Sequence, residues 1–468
     1  MKRFLWLCVI VILFLICLGC GDTFRPVITV VPPKFPDPRA SHSVVVISDN
    51  NTDASLDPPQ SDHGTVMSVN VSGDSVVGVA DVGFAPVHAV QQTASQVLVV
   101  NHSVTGAVAD SLTKVTFFGT QISSTTTIGL PADSAPNFVA STESSTAYVL
   151  LPGLVPPSVG VVSTTANQLG TTFAVQDKPV AIIETPDAKK LYVANNGAGT
   201  ISNFNTTADH SPRNPAPIAL STAPLWLASR SDSQRVYVLE ANGQLATLDT
   251  TSSAGPDTLT ESSFSIPGAK YMVYDGHLNR LYIPSTDLSD IVNPARLAIV
   301  DVSGSQPAAP VIVKVTTVLP SSRNGQDDPC ASTAAGTLLG VSAAALPDGS
   351  RVYLGSYYVD SASNICPQVT AINTSSNTLK TATAVPGFPN FAPFSPPICG
   401  VTSFRFTMAA AGDSTRVYLA SCDGGNVNVI DTATDTYLLN LKAPGSSRPP
   451  INGNQPPPQN PVFLIAGP

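Results

Sequence analysis

A chain of 468 residues with 23 Lys and Arg against 32 Asp and Glu carries a net charge of −9, and only 12% of its residues are charged. Nucleic acid and anionic membrane surfaces reward clustered basic side chains, so this balance argues against both as partners of the folded body. Ser, Thr, Gly, Pro and Val dominate the rest, a composition that suits an exported all-β protein.

Lys2 and Arg3 precede an unbroken apolar run, residues 4–18, that ends in Gly19-Cys20-Gly21-Asp22. The run falls short of the roughly 20 residues a spanning helix needs, and a basic start, apolar middle and small residue make residues 1–19 an export signal. The placement of Cys20 directly after Gly19 resembles the lipobox of bacterial lipoproteins. That resemblance implies cleavage before Cys20 and its lipidation, hence a membrane-anchored protein facing the periplasm or cell surface. Residues 23–41 hold five prolines in nineteen positions. Such a density of proline predicts a semi-rigid, extended spacer, so that residues 20–41 would be the cysteine whose lipidation the resemblance implies, followed by this spacer.

From residue 42 to 468 one pattern repeats: a Pro-led apolar strand, a polar turn, a Tyr-Val strand, then a Val-Ile-Asp hairpin. Inner strands read Ala85-Pro86-Val87-His88-Ala89, Ala135-Pro136-Asn137-Phe138-Val139, Lys178-Pro179-Val180-Ala181-Ile182, Ala223-Pro224-Leu225-Trp226-Leu227 and Ala269-Lys270-Tyr271-Met272. Leu338-Leu339-Gly340-Val341 and Ser403-Phe404-Arg405-Phe406 are copies without the proline. One column, Ala89, Val139, Ile182, Leu227, Met272, Val341 and Phe406, is always apolar and should pack against the neighbouring unit. Second strands centre on Leu98, Tyr148, Tyr192, Tyr237, Tyr282, Tyr353 and Tyr418, 44 to 71 residues apart. Four short strands per unit at such a period predict a single β-propeller. An eighth second strand, Val44-Val45-Val46-Ile47, has no inner strand before it, and Pro461-Val462-Phe463-Leu464-Ile465-Ala466 is an inner strand with nothing after it. Pairing the two closes the ring and gives eight blades; seven is the alternative, if one degenerate unit is an insertion.

Leu191-Tyr192-Val193-Ala194-Asn195 and Val427-Asn428-Val429-Ile430-Asp431-Thr432 carry a resemblance to the YVTN-repeat family of bacterial surface and periplasmic propellers. The resemblance spans nearly all of residues 42–468 and implies a propeller in the cell envelope.

In such a fold the loops entering the inner strand and those between second and third strands share the face around the channel mouth. They place Asp49, Asn101, His102, Asn195, Asn196, Glu240, Asp287, Tyr357, Tyr358, Asp360 and Asp423 there. Deeper positions, one before the apolar column, are His88, Phe138, Trp226, Tyr271, Arg405 and Phe463. An aromatic-lined mouth with a few polar groups is where a ligand would bind. The structural alternative is that these side chains fill the tapered channel and satisfy one another. The repeated Asn205, Asp249, Asp301, Asn373 and Asp431 end third strands, where an Asx side chain starts the hairpin turn.

The histidines lack metal-motif spacing, and residues 49–53 lack the glycine and closing Glu of a Ca²⁺ loop, so no metal and no cofactor is expected. Nor is there a Gly-x-Ser-x-Gly elbow or a His-Glu-x-x-His motif. Beyond the leader and Cys20, four cysteines remain: Cys330, Cys366, Cys399 and Cys422. An exported protein favours disulfides, paired within blades as Cys330–Cys366 and Cys399–Cys422, with Cys366–Cys399 as the rival. The expected function is a monomeric, non-catalytic binding or scaffold module that meets an envelope protein, peptide or glycan through its mouth face, its only membrane contact being the lipid anchor. The alternative is an enzyme of lactonase or dehydrogenase type, with His88, His102, Glu240 and Arg405 at the mouth.

Overall fold

Eight antiparallel sheets, each of four strands with one carrying a fifth, succeed one another along the chain. The computed structural model describes residues 42–49, 63–102, 109–142, 144–207, 209–318, 328–331, 334–389, 406–422, 424–442 and 460–467. The leader, Cys20 and the Pro-rich spacer lie outside the described residues, as do Arg405, Cys399 and Asp423.

Seven blades are contiguous: residues 86–129, 138–174, 179–219, 224–265, 273–314, 339–384 and 406–442, blades 2 to 8. Blade 1 takes Ser43–Asp49, His63–Asn70 and Ser75–Phe84 from the amino end and its inner strand, Asn460–Gly467, from the carboxyl end. The register runs from Ser43 opposite Gly467 to Asp49 opposite Asn460, with a bulge at Ile47/Ser48. The closure expected from the unmatched terminal strands is thus present, and the count is eight. The long spacings after Tyr282 and Tyr353 come from connections between blades 6, 7 and 8, since each of these blades has its own full sheet.

Burial follows strand position. Second strands such as Lys190–Asn195 are buried along their whole length, because blades press on both of their faces. Outer strands such as Gln121–Gly129 alternate or stay exposed and are rich in Ser and Thr, which blunts an otherwise open sheet edge. Among the described residues the apolar side chains gather into eight clusters, each joining two neighbouring blades, with Cys422 of blade 8 also in the cluster between blades 1 and 2. Ala89, Val139, Ile182, Leu227, Met272 and Phe406 each lie in one of them, as the apolar column predicts. Val341 is only half-buried but packs against the cluster between blades 7 and 8.

Two repeated devices explain the sequence signature. At the mouth, Ala85, Ala135 and Lys178 precede the inner-strand prolines with positive φ of 44°, 47° and 48°. The proline disfavours the right-handed helical region for its predecessor, and the left-handed turn aims the preceding carbonyl at the neighbouring hairpin. Accordingly the amides of His102 and Asn196 donate to the carbonyls of Ala85 and Lys178, and Ala241 makes the same bond to Ala223 without a left-handed residue there. On the opposite face, a basic residue stands two positions before the repeated tyrosine, so both side chains leave the same side of the strand. Lys190 donates to Thr250 O, Arg235 to Ser305 O, Arg280 to Thr374 O, Arg351 to Thr432 O and Arg416 to Asp74. Each acceptor lies in the last turn of the following blade. Tyr192, Tyr237, Tyr353 and Tyr418 reach the same turns, at Asp257, Val302 O, Asp435 and Asp74. These four tyrosines are therefore inter-blade clamps with a hydroxyl hook, which a phenylalanine would lack, whereas Tyr282 bonds Asp275 of its own blade.

Of the Asx positions at third-strand ends, Asp249, Asp301 and Asn373 accept the amide two residues on, at 2.8–3.0 Å. Asn205 and Asp431 instead accept from Arg213 and Arg416.

Candidate functional site

The deeper column lies near the propeller axis. Phe463 meets His88 at 4.8 Å, His88 stacks on Phe138 at 3.7 Å, Phe138 meets Trp226 at 5.3 Å, and Trp226 meets Tyr271 at 4.9 Å. These rings come from blades 1, 2, 3, 5 and 6. Blade 4 offers the small Ala181 at this position, and Phe138 reaches past it to Trp226. Only side chains close to the axis can skip a blade in this way, so the aromatic column packs on itself within the channel. The Nδ1 of His88 accepts the Val139 amide at 3.4 Å, which leaves the ring proton on Nε2. Burial pushes this imidazole down to about 3. A neutral, stacked ring in this setting is a packing element across the blade 2–3 junction. Burial likewise pushes the Tyr271 hydroxyl up to about 12.

The polar mouth residues are tied to the frame. Asn101 donates to Val99 O, Ser111 and Thr113, and Asn195 to Thr200 and Ser202. Asn137 and Asn196 bond the carbonyls of Pro179 and Pro224 on the next blade. Glu240 is fully buried, and its Oε2 accepts from Ser221 Oγ and from Thr222 N and Oγ1. Asp360 is buried and caps its own turn, taking the amides of Ala362 and Asn364. Tyr358 is buried in the core between blades 6 and 7, and Tyr357 packs on Phe406 at 4.9 Å. His102 is different. Its Nδ1 sits 2.9 Å from Asp110 Oδ1, and its side chain remains 28% exposed. Asp110 in turn accepts from Ser134 Oγ and the Ala135 amide through Oδ2.

Two features of this face carry no sequence motif. The turn between the second and third strands of blade 6 exposes Leu288, Ile291 and Val292 at 69%, 91% and 76%. Below them the turn is braced. Asp287 pairs with Arg296 at 2.7 Å and takes the Ser289 amide, while Asp290 holds Lys314, Arg296 and the amides of Val292 and Asn293. The Lys314 bond first, then the Asn293 amide, hold Asp290 well below the usual carboxylate range. Three aliphatic side chains are thus displayed on a stiff knuckle. Beside it, blade 7 extends its central hairpin over Arg351–Val359 and Asn364–Asn373, and Phe388–Pro389 adds a short fifth strand at its tip. The Cys330–Cys366 disulfide pins this arm to the incoming connection, as the within-blade pairing predicts. Cys422 is disulfide-bonded as well, and Cys399, its expected partner, lies outside the described residues.

On the opposite face the sequence reading missed Glu184, which ends the apolar run Pro179-Val180-Ala181-Ile182-Ile183. It is buried, accepts the Thr142 amide and hydroxyl at 2.7 and 2.8 Å, and burial raises its pKa to about 7. In the unfolded chain this carboxyl ionises near 4.5, whereas in the fold it holds its proton to about 7. Its contribution to stability is therefore whole below pH 4.5 and is lost as pH rises through 7. His88 acts in the opposite sense: its contribution is whole above pH 6.5 and is lost as pH falls toward 3. Glu184→Gln keeps an acceptor for Thr142 and removes the ionisation. Thermal denaturation at about pH 8 should find the variant more stable by about 1–3 kcal/mol, a gain that disappears by about pH 4.5. An equal gain at both pH values would show that ionisation of Glu184 is not the cause.

No family model matches the sequence, and no curated protein matches it. Solved structures do. Apo AztD from Citrobacter koseri is 10% identical, the match covering 90% of this chain and 97% of that one, with a TM-score of 0.56. A second crystal structure of the same protein matches equally well at 9% identity. Dihydro-heme d1 dehydrogenase NirN in complex with DHE is 10% identical over 87% of this chain and 74% of that one, with a TM-score of 0.54. At such identities the likeness concerns the propeller fold alone. Among the described residues, no helix is long and apolar enough to cross a membrane.

Proposed function

We propose that the chain is an exported, lipid-anchored β-propeller that serves as a non-catalytic binding or scaffold module through its mouth face. The observation that carries this reading is the braced knuckle of Leu288, Ile291 and Val292. Large aliphatic side chains exposed together on a rigid turn have no folding benefit and suit a complementary apolar recess on a partner. Of the partner classes expected in the envelope, a protein or peptide offers such a recess and a glycan does not. The polar residues an enzyme would need at the mouth support the same reading, because Glu240, Asn195 and Asp360 are engaged in holding turns and blades.

The test is chemical cross-linking in intact cells, followed by mass spectrometry, of the natural chain and a Leu288→Ser/Ile291→Ser/Val292→Ser variant. A reproducible envelope partner should cross-link to the natural chain and fall at least tenfold in the variant, whose melting temperature stays within about 1 °C because the substituted side chains are exposed. Undiminished capture by the variant, or no partner for the natural chain, would reject the reading.

A second reading draws on the His102–Asp110 pair. A carboxylate fixing one imidazole nitrogen leaves the other available as a general base, and this ring is partly exposed at the mouth. Loss of a measured turnover in His102→Ala at unchanged melting temperature would favour an enzyme of lactonase or dehydrogenase type.

A further inference from the structure

We propose that reduction of the Cys330–Cys366 disulfide creates a binding site for one thiophilic divalent cation of the Zn²⁺ or Cd²⁺ type, with Asp360 as the third protein ligand. The inference is independent of the reading above. Sulfur atoms of Cys330 and Cys366 and a carboxylate oxygen of Asp360 lie within 4.8 Å of one another, and all three residues are buried. Among the described residues this is the one group of His, Cys, Asp and Glu with such spacing.

The geometry requires little movement. Two metal–sulfur bonds of about 2.3 Å at a tetrahedral angle hold the sulfurs about 3.8 Å apart. The Cα atoms are 5.9 Å apart, so side-chain rotation suffices to open the pair that far. The third ligand is already fixed. Asp360 Oδ1 accepts the amides of Ala362 and Asn364 at 2.9 and 2.7 Å, and Oδ2 accepts Asn364 Nδ2 at 2.9 Å. A carboxylate held in this way loses no further freedom on binding a cation. Cys330 is positioned from the other side by Asp328, whose Oδ1 takes the amides of both Cys330 and Gly387. Two thiolates and a carboxylate in a buried setting would repel one another, and a divalent cation is what neutralises them.

The chemistry balances with a dithiol or phosphine reductant. Two electrons and two protons convert the S–S bond into two thiols; a dithiol supplies both and leaves as its disulfide, while a phosphine supplies the electrons and leaves as its oxide, one water giving the oxygen and the two protons. Each thiol then gives up its proton to buffer as its sulfur binds the metal, so two protons are released per cation. The metal would take over from the disulfide as the link between the blade 7 arm and residues 328–331.

The experiment uses a full-length chain in which the other five of the seven cysteines, Cys8, Cys17, Cys20, Cys399 and Cys422, are Ser. The protein is reduced with a phosphine, separated from it without air and titrated with Cd²⁺, reading the thiolate-to-cadmium charge-transfer band and proton release. One equivalent of Cd²⁺ and two protons are expected for the reduced form, at least 100-fold weaker binding for the oxidised form, and about tenfold weakening in reduced Asp360→Asn. Should the cysteine-poor background not fold, the natural chain is compared with its Cys366→Ser variant, which should bind one equivalent less. The proposal is overturned if reduced, folded protein takes up no Cd²⁺, if reduction itself unfolds the chain, or if Asp360→Asn binds as tightly as its parent.

Discussion

A chain stopped after Gln459 melts more than about 5 °C below the full-length protein and self-associates as its concentration rises. The missing strand, Asn460–Gly467, supplies the inner edge of blade 1, and its loss leaves Ser43–Asp49 as an unpaired edge facing the axis. Two side chains from this strand seal two different junctions. Leu464 sits in the cluster between blades 8 and 1, and Val462 in the cluster between blades 1 and 2. Burying a Val and a Leu is worth about 3–6 kcal/mol together, before the ladder of backbone hydrogen bonds is counted. Phe463 is lost as well, and with it the ring that meets His88 at 4.8 Å. Differential scanning calorimetry and sedimentation at several concentrations make the check. A truncated chain that stays monomeric and melts within about 1 °C of the full one would mean that ring closure contributes little to stability.

Replacing Asp257 by Ala costs about 3–5 kcal/mol, the larger of the single-residue effects expected here. Blade 4 has an outer strand of only two residues, Ile218–Ala219, and the connection before it carries Arg213 across to blade 5. There Arg213 and Asp257, both with fully buried side chains, form a two-pronged pair at 2.9 and 2.7 Å. Tyr192 and Asn203 of blade 4 add hydrogen bonds to the same carboxylate oxygen at 2.7 and 2.6 Å. Removing the acid leaves a buried guanidinium with no counter-charge and a buried hydroxyl with no acceptor, the situation in which desolvation is no longer offset. The pair itself need not be strongly stabilising, so Arg213→Met with Asp257→Leu should cost clearly less than Asp257→Ala alone. Equilibrium unfolding in denaturant gives all three values. A loss below about 1 kcal/mol for Asp257→Ala would contradict this account.

The architecture was legible because a propeller writes its period into the chain. Each blade needs an apolar inner strand and a doubly buried second strand, and the recurring Pro and Tyr mark both. The two unmatched terminal strands even foretold how the ring closes. Half of one device was visible too: Lys190-Leu191-Tyr192 and Arg416-Val417-Tyr418 display the basic residue and the tyrosine two apart. Their shared target, the last turn of the next blade, was hidden, because Tyr418 and Asp74 are 344 residues apart.

The site was less legible, and for one physical reason. A polar residue at a loop position has the same one-letter code whether it awaits a ligand or holds a neighbouring strand. Glu240 and Asn195 were candidates by position, yet Thr222 donates to Glu240 Oε2 and the Asn195 amide donates to Thr200 and Ser202, so each is partly committed to the frame, with Glu240 Oε1 and Asn195 Oδ1 left buried without a partner. His88 was a candidate by chemistry, yet stacking and burial keep it neutral. Conversely, Leu288, Ile291 and Val292 read as ordinary apolar residues until the turn that bears them is seen to point away from every blade. Local order and ring closure are set by periodicity and strand pairing, which the sequence by itself determined, while the sheets of the folded chain decided eight blades over seven. Which polar groups are spent inside and which apolar ones remain outside depends on contacts between residues far apart in the chain, and only the tertiary structure decides those.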